Sequence, residues 1–156
     1  MDVTDLPSVL APLHFLLGTW VGEGRGEYPT VDDFRYLEET TFAHPGKPVL
    51  AYSQRTWMIP DRRAAHAELG YLRPVEDGVE LLLVQPSGVA EVSVGTVAGT
   101  RLELASVALA RTPTAKPVTE VRRVYERRGD TLWYQLDMAA VDQPLGIHCE
   151  AELRRG

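Results

Sequence analysis

Hydrophobic and polar residues alternate along most of the chain in short segments that are rich in Val, Thr, Tyr and Trp. The segments are about ten residues long and are separated by clusters of Pro, Gly or Asp, a pattern typical of half-buried β-strands joined by turns. This pattern predicts ten strands, near residues 18–28, 33–44, 48–59, 64–73, 78–85, 89–97, 100–110, 117–128, 131–142 and 145–154. Such regular spacing indicates antiparallel hairpins in sequence order, and closing the sheet into an up-and-down β-barrel removes its exposed edges.

The only segment suited to a helix lies between Asp5 and Leu17. Asp5 can cap this helix, Pro7 suits its first turn, and four leucines lie close to one stripe: Leu10, Leu13, Leu16 and Leu17. We therefore expect a short N-terminal helix or 3₁₀ turn that plugs one end of the barrel. No repeat, linker or low-complexity segment divides the chain, so residues 1–156 are expected to form a single domain.

Composition narrows the classes of partner. The chain has 156 residues, 44% of them hydrophobic, and a net charge of −6. A chain of this length can bury roughly two-thirds of its unfolded surface, so it needs no structural metal or disulfide. The acidic balance and the absence of long basic runs make nucleic acid and anionic membrane poor partners. One cysteine, Cys149, and an acidic N-terminus without signal-peptide character favour the reducing cytoplasm.

The spacing of the histidines and the sequence around the serines do not match those of zinc enzymes or serine hydrolases. His14, His44, His66 and His148 are too widely spaced to form a zinc cluster by sequence. No G-x-S-x-G motif is present, which argues against a Ser/His/Asp hydrolase. A ten-stranded barrel should nevertheless be wider than side chains alone fill, so a ligand cavity is expected inside it.

The segment from Gly18 to Thr30 is rich in glycine but does not open a helix, so it is not a phosphate loop. Alternation places Gly18, Gly22, Gly24 and Gly26 on one face of a strand. Such a face allows close approach of either the protein's own backbone or a ligand. We favour the ligand interpretation, in which Gly22 and Gly24 leave room for a flat, bulky group.

Several ordered motifs resemble the nitrobindin family, from about Leu13 to Leu153. They comprise GTWVGEG with Tyr28-Pro29-Thr30, then FRYLEETTF, AHPGKP, the Gly70–Arg73 strand, the PTAK segment ending at Lys116, and QPLGIH ending at His148. Nitrobindins are ten-stranded β-barrels, similar to fatty-acid-binding proteins, that hold haem b. The resemblance implies ferric haem bound through one proximal histidine, reversible NO binding, and isomerisation of peroxynitrite to nitrate.

Carried over residue by residue, the resemblance makes His148 the axial ligand of the haem iron. It makes Thr30 a haem contact, Lys116 a partner for a haem propionate, and His66 a residue bordering the distal haem face. Each has a plainer alternative: a turn hydroxyl for Thr30, a solvated cation for Lys116 and a solvated strand histidine for His66. Cys149 follows His148 directly and is expected to be a small buried hydrophobe.

The strand that carries His148 raises a question of phase. Simple alternation puts His148 with Gly146, Glu150 and Glu152, opposite an apolar face that includes Leu153. Either this polar face lines the barrel near its mouth, or a bulge near Pro144 resets the alternation.

A second class of function uses the same barrel. A non-catalytic carrier of a fatty acid, or of another apolar small molecule, would bind the carboxylate with buried Arg and Tyr side chains. Arg122, Arg123, Tyr125 and Tyr134 lie in neighbouring strands and are the candidates for that role.

Overall fold

The computed structural model describes residues 6–156. A 3₁₀-helix over Ser8–Leu16 precedes ten strands. The strands are β1 (Gly18–Tyr28), β2 (Val31–Ala43), β3 (Leu50–Met58), β4 (Ala64–Val75), β5 (Gly78–Val84), β6 (Val89–Ala98), β7 (Arg101–Arg111), β8 (Val118–Arg128), β9 (Thr131–Ala140) and β10 (Gly146–Arg155). All ten predicted strands are present, with ends within about two residues of the predicted ones, the usual uncertainty at strand and helix ends.

The sheet closes on itself. Each strand pairs antiparallel with its neighbours in sequence, and β1 also pairs with β10, from Trp20 opposite Arg155 to Gly26 opposite Cys149. The predicted ten-stranded up-and-down barrel is therefore confirmed. Closure satisfies the backbone of the first and last strands, which would otherwise be exposed edges.

The 3₁₀-helix covers one end of the barrel, as predicted. Leu10, Leu13 and Leu16 are fully buried, and they belong to the core cluster that contains Phe42, Leu50, Leu102 and Leu153. The indole Nε1 of Trp20 donates a hydrogen bond of 2.7 Å to the carbonyl of Leu16 and ties the helix to β1. Pro7 occupies the N-cap position, and the predicted cap at Asp5 lies outside the described residues. Within residues 6–156, no helix has the length and apolar character needed to cross a membrane.

Candidate functional site at the open end of the barrel

The end of the barrel opposite the helix is formed by five turns, at residues 29–30, 59–63, 85–88, 112–117 and 141–145. Thr30 and Lys116 lie in two of these turns, and His66 and His148 lie in the adjoining ends of β4 and β10. The antiparallel topology thus brings all four predicted side chains to one end, which we call the mouth.

A β-bulge lies at His148. On β10, Ile147 pairs with Asp137 of β9 and Cys149 pairs with Leu136, so His148 is the extra residue between the two pairs. Ala151 and Leu153 face the core, whereas Ile147 is 43% exposed on the outside. A bulge therefore resets the alternation of the strand, as one of the two sequence alternatives held, but it lies at His148 rather than near Pro144.

The imidazole of His148 is held by its neighbours in β1 and β2. Its Nδ1 lies 3.0 Å from the backbone carbonyl oxygen of Glu27. The ring packs edge-on against Tyr28, with centroids 5.4 Å apart, and against Phe34 at 6.2 Å. Because a carbonyl only accepts, the proton of the neutral ring lies on Nδ1, and Nε2 keeps a lone pair for a metal.

Electrostatics also favours the neutral ring. Burial lowers the pKa of His148, the positive charges of His66 and Lys116 lower it further, and the hydrogen bond to Glu27 only partly opposes them. A neutral imidazole with one nitrogen fixed by a backbone acceptor is the form that ligates haem iron.

A cleft of about 780 Å³ lies at the outer rim of the mouth; His148 does not line it, but its sequence neighbour Ile147 and its hydrogen-bond partner Glu27 do. Gly26, Phe34, Ile59, Pro60 and Ile147 provide its apolar lining, and charged residues of β1, β2 and β10 surround it: Arg25, Glu27, Asp33, Arg35 and Glu150. The volume lies within the range of small-molecule and cofactor sites, roughly 300–1,000 Å³.

The glycine face of β1 is used by the protein's own atoms. A Cβ at Gly22 would overlap the backbone carbonyl oxygen of Glu152, and one at Gly24 or Gly26 would overlap the ring of Tyr36 or Phe34. These aromatic residues are the direct cross-strand partners of Gly24 and Gly26. The space over Gly24 and Gly26 is therefore occupied by the Tyr36 and Phe34 rings of β2. This gives a structural reason for the glycines, and contact of Gly22 or Gly24 with haem stays a prediction.

Two further predicted residues lie at the surface of the mouth. Thr30 is exposed in the β1–β2 turn, and Lys116 is exposed in the β7–β8 turn. The charge of Lys116 is close enough to lower the pKa of His148. Neither Thr30 nor Lys116 is needed for core packing, so both side chains are available to a ligand at the mouth.

Cys149 is partly buried, and its thiol lies beside the hydroxyl of Tyr36. Burial raises the pKa of its thiol to about 12. A thiol that keeps its proton is a poor metal ligand, because the thiolate is the ligating form. His148 is thus the better donor of the two adjacent residues.

A charged network fills the middle of the barrel, between the helix-covered core and the mouth. Arg123 of β8 is 1% exposed and donates to both Glu68 of β4 and Glu91 of β6. The shortest of these bonds joins Nη1 to Oε1 of Glu68 at 2.6 Å, and Nη2 lies 2.8 Å from Oε1 of Glu91. Paired and fully hydrogen-bonded in this way, an arginine can be buried without a large penalty.

Sequence reasoning missed Glu68 and Glu91. Strand alternation places both on the inward face, and buried glutamates in a barrel are rare enough to be a signal. Alternation predicts which face of a strand a residue occupies, but not which residue it contacts across the barrel. The ion pairs of these glutamates with Arg123 therefore could not be predicted.

The network corrects the set of residues assigned to a carrier. Arg122 faces outwards, where its Nε lies 3.5 Å from Glu120, so it cannot bind a ligand inside the barrel. The guanidinium of Arg123 is already occupied by two carboxylates of the chain itself, with Tyr134 at 3.3 Å. The tyrosines stack on one another: the rings of Tyr125 and Tyr134 are 4.7 Å apart.

Another buried carboxylate, Glu38 of β2, lies between this network and the mouth. Its Oε1 accepts hydrogen bonds from Thr40 at 2.7 Å and from Gln54 at 2.8 Å, while its Oε2 is buried and unbonded. Burial raises the pKa of Glu38 to about 6, although these two hydrogen bonds act in the opposite direction.

The fold and the mouth define a class of protein: a closed antiparallel barrel that is covered by a helix at one end and carries His66 and His148 at the open end. A family model described as "THAP4-like, heme-binding beta-barrel domain" matches residues 9–155. The chain belongs to this family of haem-binding barrels.

Relatives with close similarity cover nearly the whole chain. Proteins named peroxynitrite isomerase 2 from Mycobacterium ulcerans and peroxynitrite isomerase 1 from Mycobacterium tuberculosis are each 48% identical, over 97% of this chain and 97% of their own. The crystal structure of Rv2717c from M. tuberculosis superposes with a TM-score of 0.90 at 47% identity, covering 97% of this chain and 99% of that one.

Proposed function

We propose that this protein is a peroxynitrite isomerase that binds ferric haem b at the mouth of the barrel through His148. The observation that carries the proposal is the arrangement of His148, with Nδ1 bound to the Glu27 carbonyl and Nε2 left free. The names of the relatives at 48% identity support the reaction, and the family supports the cofactor. A chain with one cysteine cannot make two thioether bonds to a porphyrin, which favours haem b.

The residues around His148 fit a haem. Tyr28 and Phe34 offer aromatic surface beside His148 to the porphyrin ring, and Lys116 and Thr30 at the rim suit the propionates and polar edge. When bound, the haem supplies a Lewis-acidic iron at which peroxynitrite rearranges to nitrate. His148 would be the one protein ligand of the haem, and we include NO among the small molecules that the bound group would take.

The chain's own residues contribute position and shielding. His148 holds the cofactor at the mouth, and Tyr28 and Phe34 fix the plane of the imidazole. The charged network and the aromatic residues fill the barrel beneath the mouth, so the reacting anion is kept at the open end. No side chain is assigned as a general acid or base. We place the activity in the cytoplasm, as the single cysteine suggests.

The carrier function is the less favoured alternative. It requires a free guanidinium inside the barrel, whereas Arg123 is bound by Glu68 and Glu91. A fatty acid would have to displace one of two well-placed buried carboxylates to bind there.

Rapid mixing of peroxynitrite with apo and haem-loaded protein tests the proposal. We expect a Soret band on addition of haemin and faster decay of peroxynitrite only in the loaded protein. Displacement of a fluorescent fatty acid is measured in parallel on the apo protein. Equal decay rates with and without haem, together with saturable fatty-acid binding, would favour the carrier.

A further inference from the structure

His66 is connected to the buried network through one side chain. Its Nε2 lies 3.1 Å from Oε2 of Glu68, two residues further along β4. The Glu68 side chain is 2% exposed, whereas the His66 side chain is 39% exposed at the mouth. The histidine ring thus spans from the buried interior to the space where a ligand would lie.

The carboxylate of Glu68 is itself held firmly. Oε1 accepts hydrogen bonds from the hydroxyl of Tyr52 and from Nη1 of Arg123, both at 2.6 Å. Oε2 accepts from Nη2 of Arg123 and from Nε2 of Gln85, both at 3.2 Å. Burial alone would raise the pKa of Glu68, but the Arg123 guanidinium and the hydrogen bonds hold it well below the usual range. Glu68 is therefore an ionised group that can only accept.

The main chain of His66 is fixed as well. Its backbone N–H donates a 3.0 Å hydrogen bond to Oγ1 of Thr56, where the pairing of β3 with β4 shifts register between Arg55 and Trp57. The backbone N–H of His66 is held by the Thr56 hydroxyl and its ring by the Glu68 carboxylate, so few orientations are open to the imidazole.

We propose that Glu68 is a positioning residue that keeps the proton of His66 on Nε2, so that Nδ1 is the ring atom that faces a ligand at the mouth. This inference rests on the proposed function, because the ligand in question is the anion bound beside the haem. Glu68 contacts the mouth through His66, and none of its hydrogen bonds among the described residues is to His148.

The positioning has a chemical consequence for His66. With Nε2–H donated to Glu68, the neutral ring presents Nδ1 as an acceptor and has no donor left for an anion. Only the doubly protonated ring can donate from Nδ1. Glu68 therefore fixes which nitrogen is available at the mouth: any hydrogen bond from His66 to an oxyanion there must come from Nδ1 of the doubly protonated ring.

The tautomer of His66 is the direct test and needs no haem. In apo protein with ¹⁵N-labelled histidine, at a pH where the ring is neutral, we expect the His66 signals to show a protonated Nε2 and a bare Nδ1. His66→Gln identifies the signals by removing them. A wild-type spectrum with the proton on Nδ1 would overturn the proposal whether or not any variant folds.

Glu68→Gln and Glu91→Gln form a matched pair, because each removes one of the two carboxylates bound to Arg123 and only Glu68 touches His66. We expect mixed tautomers of His66 in Glu68→Gln and the wild-type pattern in Glu91→Gln. The same change in both variants would mean that the network acts on the fold in general, and the positioning role would be rejected.

A second readout uses haem-loaded protein. Since one hydrogen bond is at stake, His66→Gln and Glu68→Gln should each slow peroxynitrite decay by about 3- to 10-fold. The double variant should be no slower than His66→Gln, because Glu68 acts through His66. Additive losses would contradict the proposal. Failure of the apo protein to bind haem would instead overturn the proposed function and leave the tautomer result standing.

Discussion

At the residue scale, the site depends on the direction in which one imidazole points. His148 is the extra residue of a bulge, and its Nδ1 binds a carbonyl of the neighbouring strand, which leaves Nε2 for a metal. Motif matching selected His148, but strand alternation taken alone pointed it outwards. A bulge depends on how two strands pair, and that pairing is a property of the assembled sheet rather than of the segment around Pro144.

Replacing His148 by Ala should remove tight haem binding and leave the barrel folded. Loss of an outer partner of a metal ligand typically costs about 10- to 100-fold in affinity, so loss of the ligand itself should exceed ~100-fold. Haemin titration followed at the Soret band measures the loss, and added imidazole should restore the spectrum. Cys149→Ala is the control, and it should bind haem as the wild type does. Wild-type affinity in His148→Ala would mean that another residue holds the iron.

At the element scale, β1 explains why the mouth has its shape. The close approach of Glu152 to Gly22, and of the Tyr36 and Phe34 rings to Gly24 and Gly26, brings β2 and β10 close over this strand. Sequence showed that these glycines share a face and left two explanations open. The occupants could not be predicted, because cross-strand partners depend on the register of three strands.

Gly22→Ala should therefore lower the stability of the apo protein. Its methyl group would meet the carbonyl of Glu152, and inserting a methylene into a tightly packed position typically costs about 1–3 kcal/mol. Chemical denaturation measures the free energy of unfolding. Gly146→Ala is the matched control, because a Cβ there meets only the Pro144 carbonyl at 4.0 Å. Unchanged stability in Gly22→Ala, with weakened haem binding, would instead favour the ligand interpretation of the glycine face.

A single hydroxyl joins β1 to the end of β9. The Tyr28 hydroxyl donates to the Ala140 carbonyl at 2.9 Å and accepts from the Ala140 N–H at 2.7 Å. Tyr28→Phe leaves two buried backbone groups without their partner, so we expect a loss of about 1–3 kcal/mol in unfolding free energy. Tyr71→Phe, at a side chain that is 53% exposed, should change the stability little. A loss of unfolding free energy in Tyr28→Phe that is no larger than the small change in Tyr71→Phe would show that the Tyr28 hydroxyl contributes little to stability.

At the scale of the whole molecule, the barrel has an apolar end, a charged middle and an open mouth. The period-two pattern was sufficient to predict the strand order and the closure, because each hairpin is local in sequence. The charged middle was not predictable in the same way: Arg123, Glu68 and Glu91 come from three strands and meet only after the barrel has closed. The cavity was expected inside the barrel, but side chains fill that space, and the cleft lies at the outer rim of the mouth.

The buried Glu38 makes stability depend on pH in a defined direction. Because its pKa rises from 4.5 to about 6 on folding, the folded state binds the proton more tightly than the unfolded state. The contribution of Glu38 to stability is fully present below pH 4.5 and is lost as the pH rises through 6, by ~2 kcal/mol in total. Glu68 has the opposite sign, and its contribution to stability is lost at low pH.

Glu38→Gln should remove this dependence in the apo protein. The unfolding free energy of the variant, minus that of the wild type, should rise by ~1 kcal/mol between pH 5.5 and 7.5. The contribution of Glu68 cancels in this difference. Urea denaturation at several pH values measures it, and a difference that stays constant with pH would show that Glu38 is ionised in both states throughout.

The central claim is that haem held by His148 makes this barrel an isomerase rather than a carrier. It is tested most directly by the products of peroxynitrite decay in the presence of a phenol. Haem-loaded wild type should raise the yield of nitrate and suppress nitration of the phenol, while apo protein and His148→Ala treated with the same haemin should do neither. Nitration that rises along with the decay rate, or equal nitrate yields from wild type and His148→Ala, would contradict it.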